Sequence, residues 1–275
     1  MQNAPTPPPR QRPRPTFRKV RVVSASDLTP HVRRIVFGGE DLAGFASRGP
    51  AEHIKVFFPP PGEIEPVVPV WGPNGPEPRP GRPLPVSRTY TPRRWDPERL
   101  ELEVHFALHS DGPGSRWARG AKPGDIAVIA GPGRPYQIDP AASWRLIGGD
   151  DTALPAIHTI LEALPPGAPA YVYIEVEGPE DEQPLASRAP FAATWLHRRG
   201  VGLDEPGRLL ERAIRGFAVP QGQGAVWIGC EAGVMREIRH HLLYDRGISR
   251  ELLCTRGYWK MGTPNHPDHD MGEDV

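Results

Sequence analysis

Residues 144–161 read WRLIGGDDTALPAIHTIL, an apolar run followed by a Gly/Asp turn and then by apolar residues at helical spacing. The pattern predicts a strand over Trp144–Ile147 that leads into a helix over Thr152–Leu164. Thr152 stands where its hydroxyl would cap this helix. The apolar run Ala170–Glu177 follows the helix as the next predicted strand.

The same order recurs closer to the C-terminus. Ala225–Gly229 predicts a strand, Gly233–Arg246 a helix and Glu251–Tyr258 a final strand. Strands separated by helices predict a parallel sheet whose ligand lies at the carboxyl ends of the strands. No G-x-G-x-x-G segment occurs, so a dinucleotide-binding domain with that fingerprint is not supported. Residues 139–262 are therefore predicted to form an α/β domain.

The residues before position 140 have a different rhythm. Apolar and polar side chains alternate over Leu100–His109, with Ala107 as the one exception, and this is the period of a half-buried strand. Further short β-rich runs are Arg18–Ser24, Val32–Phe37, His53–Phe58 and Ser87–Thr91. Short strands separated by Gly/Pro turns predict an antiparallel β-barrel over residues 17–138. A length of 275 residues allows two domains, so the predicted class is a β-barrel followed by a parallel-sheet α/β domain.

Three segments fall outside these predicted domains or interrupt them. Proline is concentrated in residues 1–15 and 59–85, where it removes backbone donors and blocks strand pairing. We expect a disordered leader over residues 1–16 and a long loop within the β domain. The C-terminal residues 263–275 contain two His and several Asp that could bind a metal, but a flexible solvated tail is favoured.

The composition excludes several classes of function. Lys plus Arg and Asp plus Glu balance at 33 each, so no overall field attracts nucleic acid or a membrane surface. The two cysteines, Cys230 and Cys254, form neither a disulfide framework nor a zinc motif. The N-terminus lacks a signal-peptide core and no apolar stretch has membrane-spanning length, which predicts a cytoplasmic location.

Two neighbouring segments contain residues suited to a phosphate-bearing aromatic cofactor. The hexapeptide Arg88–Arg93 combines two guanidinium groups with a tyrosine and two threonines on a short strand, although an ordinary edge strand can contain the same residues. Asp111–Ser115 is a glycine-rich turn that precedes the short predicted helix Arg116–Arg119. Such a turn can hold a pyrophosphate at the positive end of a helix, or it can be a simple capped turn.

Together these two segments resemble the FAD site of the siderophore-interacting protein family, which consists of ferric-siderophore reductases related to ferredoxin–NADP reductases. The resemblance continues in GPGRP (131–135), GGDDTALPAI (148–157), YIEVEG (173–178), WIGCEAGVMREIR (227–239) and GYWKMG (257–262). These segments occur in the family's order and extend over almost all of residues 17–262.

The resemblance implies a cofactor site of FAD with NADH or NADPH as electron donor. The residues that it assigns to FAD are Arg88, Thr89, Tyr90, Thr91, Arg93, His109, Gly114, Ser115, Trp117 and Ala118. Those on the nicotinamide side are Asp150, Thr152, Ala153 and Glu231, with Thr91 and Thr152 closest to hydride transfer. Cys230 is expected to be a small packed residue near the nicotinamide. Glu175 and Glu177 weakly favour NADH over NADPH as the donor, because carboxylates disfavour a 2′-phosphate.

The resemblance also implies a substrate, a ferric siderophore that is reduced to release Fe(II). Lys55, Arg134 and Lys260 are the predicted basic residues for an anionic iron complex, although each of them can also be a solvated surface cation. The family often has glycine at the position of Arg134, so this arginine is a departure. The protein is expected to be a monomer, with a ferredoxin as an alternative donor.

Two other functions remain open from the sequence. The chain could be the reductase component of an oxygenase, although it lacks the Cys cluster of an iron–sulfur module. It could also be a siderophore carrier that does not transfer electrons.

Overall fold

The computed structural model describes residues 15–72, 75–83, 85–108, 112–201, 206–263, 266–267 and 270–275. Residues 1–14 of the predicted leader, and His109 of the predicted cofactor site, lie outside the described residues.

The N-terminal domain is built on antiparallel strands. Its elements are β1 (Phe17–Thr29), β2 (Val32–Gly38), β3 (Ile54–Phe58), β4 (Val70–Gly72), β5 (Gly75–Glu77), β6 (Val86–Tyr90), β7 (Pro92–Asp96), β8 (Glu101–Ala107), helix α1 (Pro113–Gly120) and β9 (Ile126–Ala130). Seven of these strands form one sheet in the order β6-β3-β9-β1-β2-β8-β7. The other two, β4 and β5, form a small hairpin within the proline-rich loop.

Side chains from five strands of this sheet and from α1 meet in a single core. Strand β8 shows the predicted alternation, because Leu102, Val104 and Phe106 are completely buried. Its outward side is also covered, since Glu103 pairs with Arg34 on β2. The alternation therefore predicted the position of the strand correctly. Its polar face is less exposed to solvent than the polar face of a half-buried strand would be.

The C-terminal domain is a five-stranded parallel sheet. Its elements are β10 (Trp144–Asp150), α2 (Leu154–Ala163), β11 (Ala170–Val176), β12 (Phe191–His197), α3 (Arg208–Arg215), β13 (Gly224–Glu231), α4 (Ala232–His240) and β14 (Leu253–Trp259). The strand order is β12-β11-β10-β13-β14, which reverses direction between β10 and β13. Helix α2 packs on one face of the sheet, and α3 and α4 pack on the other. The predicted class, an antiparallel β domain followed by a parallel-sheet α/β domain, is confirmed. Among the described residues, β6 and β7 are the two edges of the antiparallel sheet, so the strand pairing does not close the predicted barrel.

Helix α2 begins two residues later than the sequence predicts. The Thr152 hydroxyl donates a hydrogen bond to Asp150 Oδ1 at 2.5 Å, so it does not cap the helix. The helix instead starts at Leu154, with Pro155 in its first turn, where a missing N–H has no cost. Strand β12 and helix α3 were not predicted; β12 is an edge strand whose first four residues are all exposed, so burial leaves no periodic pattern there.

The end of the chain differs from the predicted flexible tail. The N–H of Gly257 on β14 donates to the carbonyl of Asp270 at 2.9 Å. The Asp270 carboxylate accepts from both terminal nitrogens of Arg236 on α4, at 2.8 and 2.9 Å. The backbone near Gly272 lies against Met235 of the same helix. Residues 270–275 are therefore held against α4 and β14, because the acidic residues of this segment have a basic partner that the sequence pattern did not show.

Direct contacts join the two domains. Arg93 on β7 makes two hydrogen bonds to the carboxylate of Glu162 on α2, at 2.7 and 3.0 Å. The Ala51 N–H donates to Thr159 Oγ1 at 3.0 Å. His31, in the turn between β1 and β2, contacts the buried carboxylate of Asp181 at 2.8 Å. These polar contacts hold the cleft between the domains at a defined width.

Candidate functional site

A cavity of about 940 Å³ lies between the two domains. The N-terminal domain contributes its β6 and α1 segments, and the C-terminal domain contributes the carboxyl ends of its strands. In open α/β sheets this edge is where ligands bind, next to the point where the strand order reverses. We call the two sides of the cavity the barrel wall and the α/β wall.

The barrel wall is formed by Arg88–Tyr90 on β6, by Thr91 directly after it, and by Gly112–Ser115 at the start of α1. The Tyr90 ring packs against Phe106, with the ring centroids 4.2 Å apart. Burial raises the pKa of Tyr90, so its hydroxyl stays protonated. Gly114 is required here, because a Cβ atom at this position would lie 2.3 Å from the Tyr90 hydroxyl.

The first turn of α1 presents backbone N–H groups to the cavity. The helix has Pro113 at its start, and among the described residues no side chain caps it. The aliphatic part of Arg88 lies beside this turn, since its Cγ is 3.4 Å from the Cβ position of Gly114, and its Nη1 donates to the Ser87 carbonyl at 2.7 Å. Burial lowers the pKa of Arg88, which remains protonated at neutral pH because the ordinary value is 12.5. An arginine and a helix N-terminus together favour the binding of a phosphate.

The α/β wall is lined by Asp151, Thr152, Glu177, Arg198 and residues 256–263. The hydroxyl of Tyr258 is hydrogen-bonded to Thr91, and this hydrogen bond connects the α/β wall to the barrel wall. Arg198 lies within 4 Å of three carboxylates, at 2.7 Å from Asp151, 3.5 Å from Glu177 and 3.7 Å from Glu175. Burial opposes the charge of Arg198, but Asp151, Glu175 and Asp150 outweigh burial and raise the pKa of Arg198.

Three buried carboxylates lie beneath the α/β wall, at the ends of β10, β11 and β13. Glu175 accepts the N–H groups of Gly207 and Leu210 and so holds the start of α3. Glu231 accepts the N–H groups of Val234 and Met261. Asp150 accepts four hydrogen bonds, which are considered in detail below. Because Glu175 is occupied in this way, it is not available to select against a 2′-phosphate as the sequence suggested.

The structure places the predicted site residues in two groups. Those that line the cavity are Arg88, Thr89, Tyr90, Thr91, Gly114, Ser115, Thr152 and Lys260. Those that do not line it are Arg93, Trp117, Ala118, Asp150, Ala153, Glu231, Lys55 and Arg134. Arg93 is buried in its ion pair with Glu162, and Trp117 packs on Phe58 in the barrel core. The buried Cys230 thiol, whose pKa burial raises, fits the packing role predicted for it.

Several residues that line the cavity were not predicted. They are His31, His53, His105, Arg198, Arg256, Tyr258, Trp259 and His266. Tyr258 and Trp259 belong to the GYWKMG segment, so the resemblance contained a signal for them. His31 and His53 lie beside short strands with no local pattern that distinguishes them from surface histidines.

The residues present fit FAD. The first turn of α1 and Arg88 suit its pyrophosphate, and the absence of a Cβ at Gly114 lets Tyr90 and Arg88 lie close to this turn. Thr89 and Thr91 supply hydroxyls, and the cavity has the volume of a large cofactor site.

Two kinds of feature are absent from the described part of the chain. No helix there is long and apolar enough to cross a membrane. No group of three or more His, Cys, Asp or Glu residues there could hold a metal ion.

Comparisons with known proteins agree with this site. Residues 21–136 match the siderophore-interacting FAD-binding domain, and residues 142–262 match the siderophore-interacting protein family. The chain is 33% identical to the NADPH-dependent ferric-chelate reductase of Escherichia coli, over 94% of this chain and 99% of that protein. It is 31% identical to the ferric vibriobactin reductase of Vibrio cholerae, over 88% of this chain and 89% of that protein.

A solved structure extends the likeness to three dimensions. A siderophore utilization protein from T. fusca superposes with a TM-score of 0.82 and 36% identity, covering 93% of this chain and 97% of that one. Two family matches that together span both domains, with full-length relatives above 30% identity, establish the relationship. The chain belongs to the siderophore-interacting protein family.

Proposed function

We propose that this protein is a flavin-dependent reductase that transfers electrons from NADH or NADPH, through FAD, to ferric siderophores. One observation carries the proposal. A single cavity brings a phosphate-binding strand and helix terminus together with the carboxyl ends of a parallel sheet. Several relatives are named as reductases of ferric siderophores or ferric chelates.

The barrel wall would hold FAD. Arg88 and the N–H groups of the first turn of α1 would bind the phosphates, and the hydroxyls of Thr89 and Thr91 would donate or accept hydrogen bonds at the ring. Tyr90, kept neutral by burial, offers a flat surface beside these groups. When bound, FAD supplies a two-electron acceptor that can release electrons one at a time.

The α/β wall would hold the nicotinamide donor. Thr152 lies in the turn after β10, and Gly257, Tyr258 and Trp259 lie at the end of β14. These positions flank the reversal of strand order at which a dinucleotide binds. The reaction needs no protein acid, base or nucleophile. These residues would therefore orient the donor and exclude water.

The iron complex would approach from the open side of the cavity. Lys260 lines the cavity there and is exposed. Lys55 is the direct partner of Thr89 between β3 and β6, and opposed residues of an antiparallel pair share one face of the sheet. Arg134 follows Gly133, whose N–H donates to the His53 carbonyl. We propose these three residues as the basic site for an anionic ferric siderophore. Reduction to Fe(II) weakens binding by hard oxygen donors and releases the metal.

The test begins with purified protein. We expect bound flavin that is released by acid as FAD, and anaerobic bleaching of the flavin absorbance by NADH or NADPH. Addition of a ferric siderophore should then restore the oxidised spectrum and form Fe(II), detected with a ferrous chelator. Protein that cannot be reconstituted with FAD contradicts the proposal, and flavin that is reduced but never reoxidised by any ferric complex favours an electron-carrier partner.

The basic site has its own test. Replacement of Lys55 and Arg134 together by Gln should raise the Michaelis constant for an anionic ferric siderophore and leave FAD content and flavin reduction unchanged. The effect should be larger at low salt, because the interaction is screened. A ferredoxin as alternative donor, a monomeric state and a cytoplasmic location are also predicted; donor titration, light scattering and cell fractionation would test them.

A further inference from the structure

The carboxylate of Asp150 connects the ends of three neighbouring strands. It lies at the end of β10, and its side chain is 1% exposed. Oδ1 accepts from the Thr152 N–H at 3.0 Å and from the Thr152 hydroxyl at 2.5 Å. Oδ2 accepts from the Glu231 N–H at 3.1 Å and from the Trp259 indole N–H at 2.9 Å. The four donors come from the turns and strands that follow or neighbour β10.

Two of the residues that Asp150 holds line the cavity, although Asp150 itself does not. Thr152 and Trp259 come from opposite sides of the strand-order reversal, 107 residues apart in the chain. A hydroxyl can rotate freely and an indole can change rotamer, so each needs a fixed partner to keep its position. The shared carboxylate supplies that partner for both.

We propose that Asp150 is a positioning residue for the donor side of the reaction: it orients Thr152 and Trp259 against the nicotinamide. This inference rests on the proposed function. The sequence led us to expect that Asp150 contacts a cofactor directly. In the structure both oxygens of its carboxylate already accept hydrogen bonds from protein donors. Burial, reinforced by the neighbouring Asp151, raises the pKa of Asp150, and the hydrogen bonds from Thr152 and Trp259 oppose that shift.

The substitution Asp150→Asn preserves shape and removes part of this arrangement. An amide presents one oxygen and one NH₂ group. The NH₂ group faces two N–H donors if it lies towards Glu231 and Trp259, and one N–H donor if it lies towards Thr152, whose hydroxyl can turn to accept. Glu52→Gln is the matched control. Glu52 is 2% exposed, accepts from Ser47 and the Arg48 N–H in the barrel domain, and does not line the cavity.

The main measurement is anaerobic stopped-flow reduction of the bound flavin at increasing donor concentration. We expect Asp150→Asn to lower the limiting rate at least roughly tenfold, because misplacement of an orienting group has effects of this size. FAD content and reoxidation of dithionite-reduced protein by a ferric siderophore should match the parent. Glu52→Gln should reduce its flavin at the parent rate even if its melting temperature falls equally.

A double-mutant cycle separates positioning from general damage. If Asp150 acts through Trp259, then Asp150→Asn should slow a Trp259→Phe protein by much less than it slows the parent. The same comparison with Thr152→Val tests the second contact. Additive effects in both cycles would overturn the proposal, as would a parent-like limiting rate in folded Asp150→Asn.

A spectroscopic measurement makes the test independent of turnover. The near-UV circular dichroism of Trp259, obtained as parent minus Trp259→Phe, should change in Asp150→Asn and persist in Glu52→Gln. If Asp150→Asn does not fold, Trp259→Phe and Thr152→Val must each slow flavin reduction without loss of FAD, and parent rates in both would refute the inference. If the parent flavin is not reduced by either nucleotide, the proposed function fails, while the dichroism still decides whether Asp150 holds Trp259.

Discussion

The two walls of the cavity present their polar groups in different ways. On the barrel wall, Arg88–Thr91 and the start of α1 face the cavity directly. On the α/β wall, the carboxylates of Asp150, Glu175 and Glu231 lie beneath the surface and hold loops in place. The barrel wall therefore presents residues that are close in the sequence, whereas the α/β wall depends on contacts between distant residues. Substitutions on the two walls should therefore have different effects on the protein.

The largest expected effect is on the barrel wall. Arg88→Ala removes a charge-assisted partner for a phosphate, which should weaken FAD binding by roughly 1.5–3 kcal/mol. The measurement is the FAD dissociation constant of the reconstituted protein. Arg94→Ala, an exposed residue on the next strand, is the control and should bind FAD like the parent. Equal FAD affinity in both variants would show that the barrel wall does not bind the phosphates.

The next effect tests the close fit on the same wall. Gly114→Ala places a Cβ 2.3 Å from the Tyr90 hydroxyl, so the tyrosine must move. We expect FAD binding to weaken by about 1–3 kcal/mol, as for overpacking in a core. Gly120→Ala in the same helix has open space around the new Cβ and should leave binding unchanged. Parent-like affinity in Gly114→Ala would mean that Tyr90 is not part of the site.

The third prediction concerns support of the α/β wall by the end of the chain. Asp270, whose side chain is 7% exposed, pairs with Arg236, and so does Asp274, which is 64% exposed. Asp270→Asn should lower the free energy of unfolding by about 1–2 kcal/mol. Asp274→Asn should change it by less than about 1 kcal/mol, because exposed ion pairs contribute little. Both variants should keep their FAD; equal melting temperatures would contradict the buried role of Asp270.

The smallest effect is a pH dependence in the barrel domain. Burial would raise the pKa of Glu103, but hydrogen bonds from His105 and Arg34 outweigh burial and lower it to about 2. Because the folded-state pKa is below the ordinary value of 4.5, the stabilisation is present above that pH and is lost as the pH falls towards 2.

Urea unfolding from pH 6 to pH 3 measures this loss. Glu103→Gln should flatten the acid side of the stability curve by about 1 kcal/mol. Glu101→Gln on the same strand corrects for the removal of one negative charge. An unchanged acid limb in Glu103→Gln would assign the loss of stability to other carboxylates.

Local sequence patterns were sufficient for most of the fold. The alternation of Leu100–His109 located β8, and the stretch WRLIGGDDTALPAIHTIL located β10 and α2. Strand β12 and helix α3 were missed, because β12 lies at an edge with its first four residues exposed. Burial imposes the periodicity that sequence analysis detects, so elements without it are not recognised.

For the site, the sequence by itself was enough to pick out two segments, Arg88–Thr91 and Gly114–Ser115, that line the cavity, because the residues of each segment are adjacent in the chain. Only the tertiary structure decided which polar residues face the cavity and which support it. Arg93 and Asp150 read as ligand-binding residues, yet Arg93 pairs with Glu162 across the domain boundary and Asp150 binds Trp259. The physical reason is that a buried charge must be paired with whatever donor or acceptor the fold brings to it, and that partner can lie anywhere in the chain.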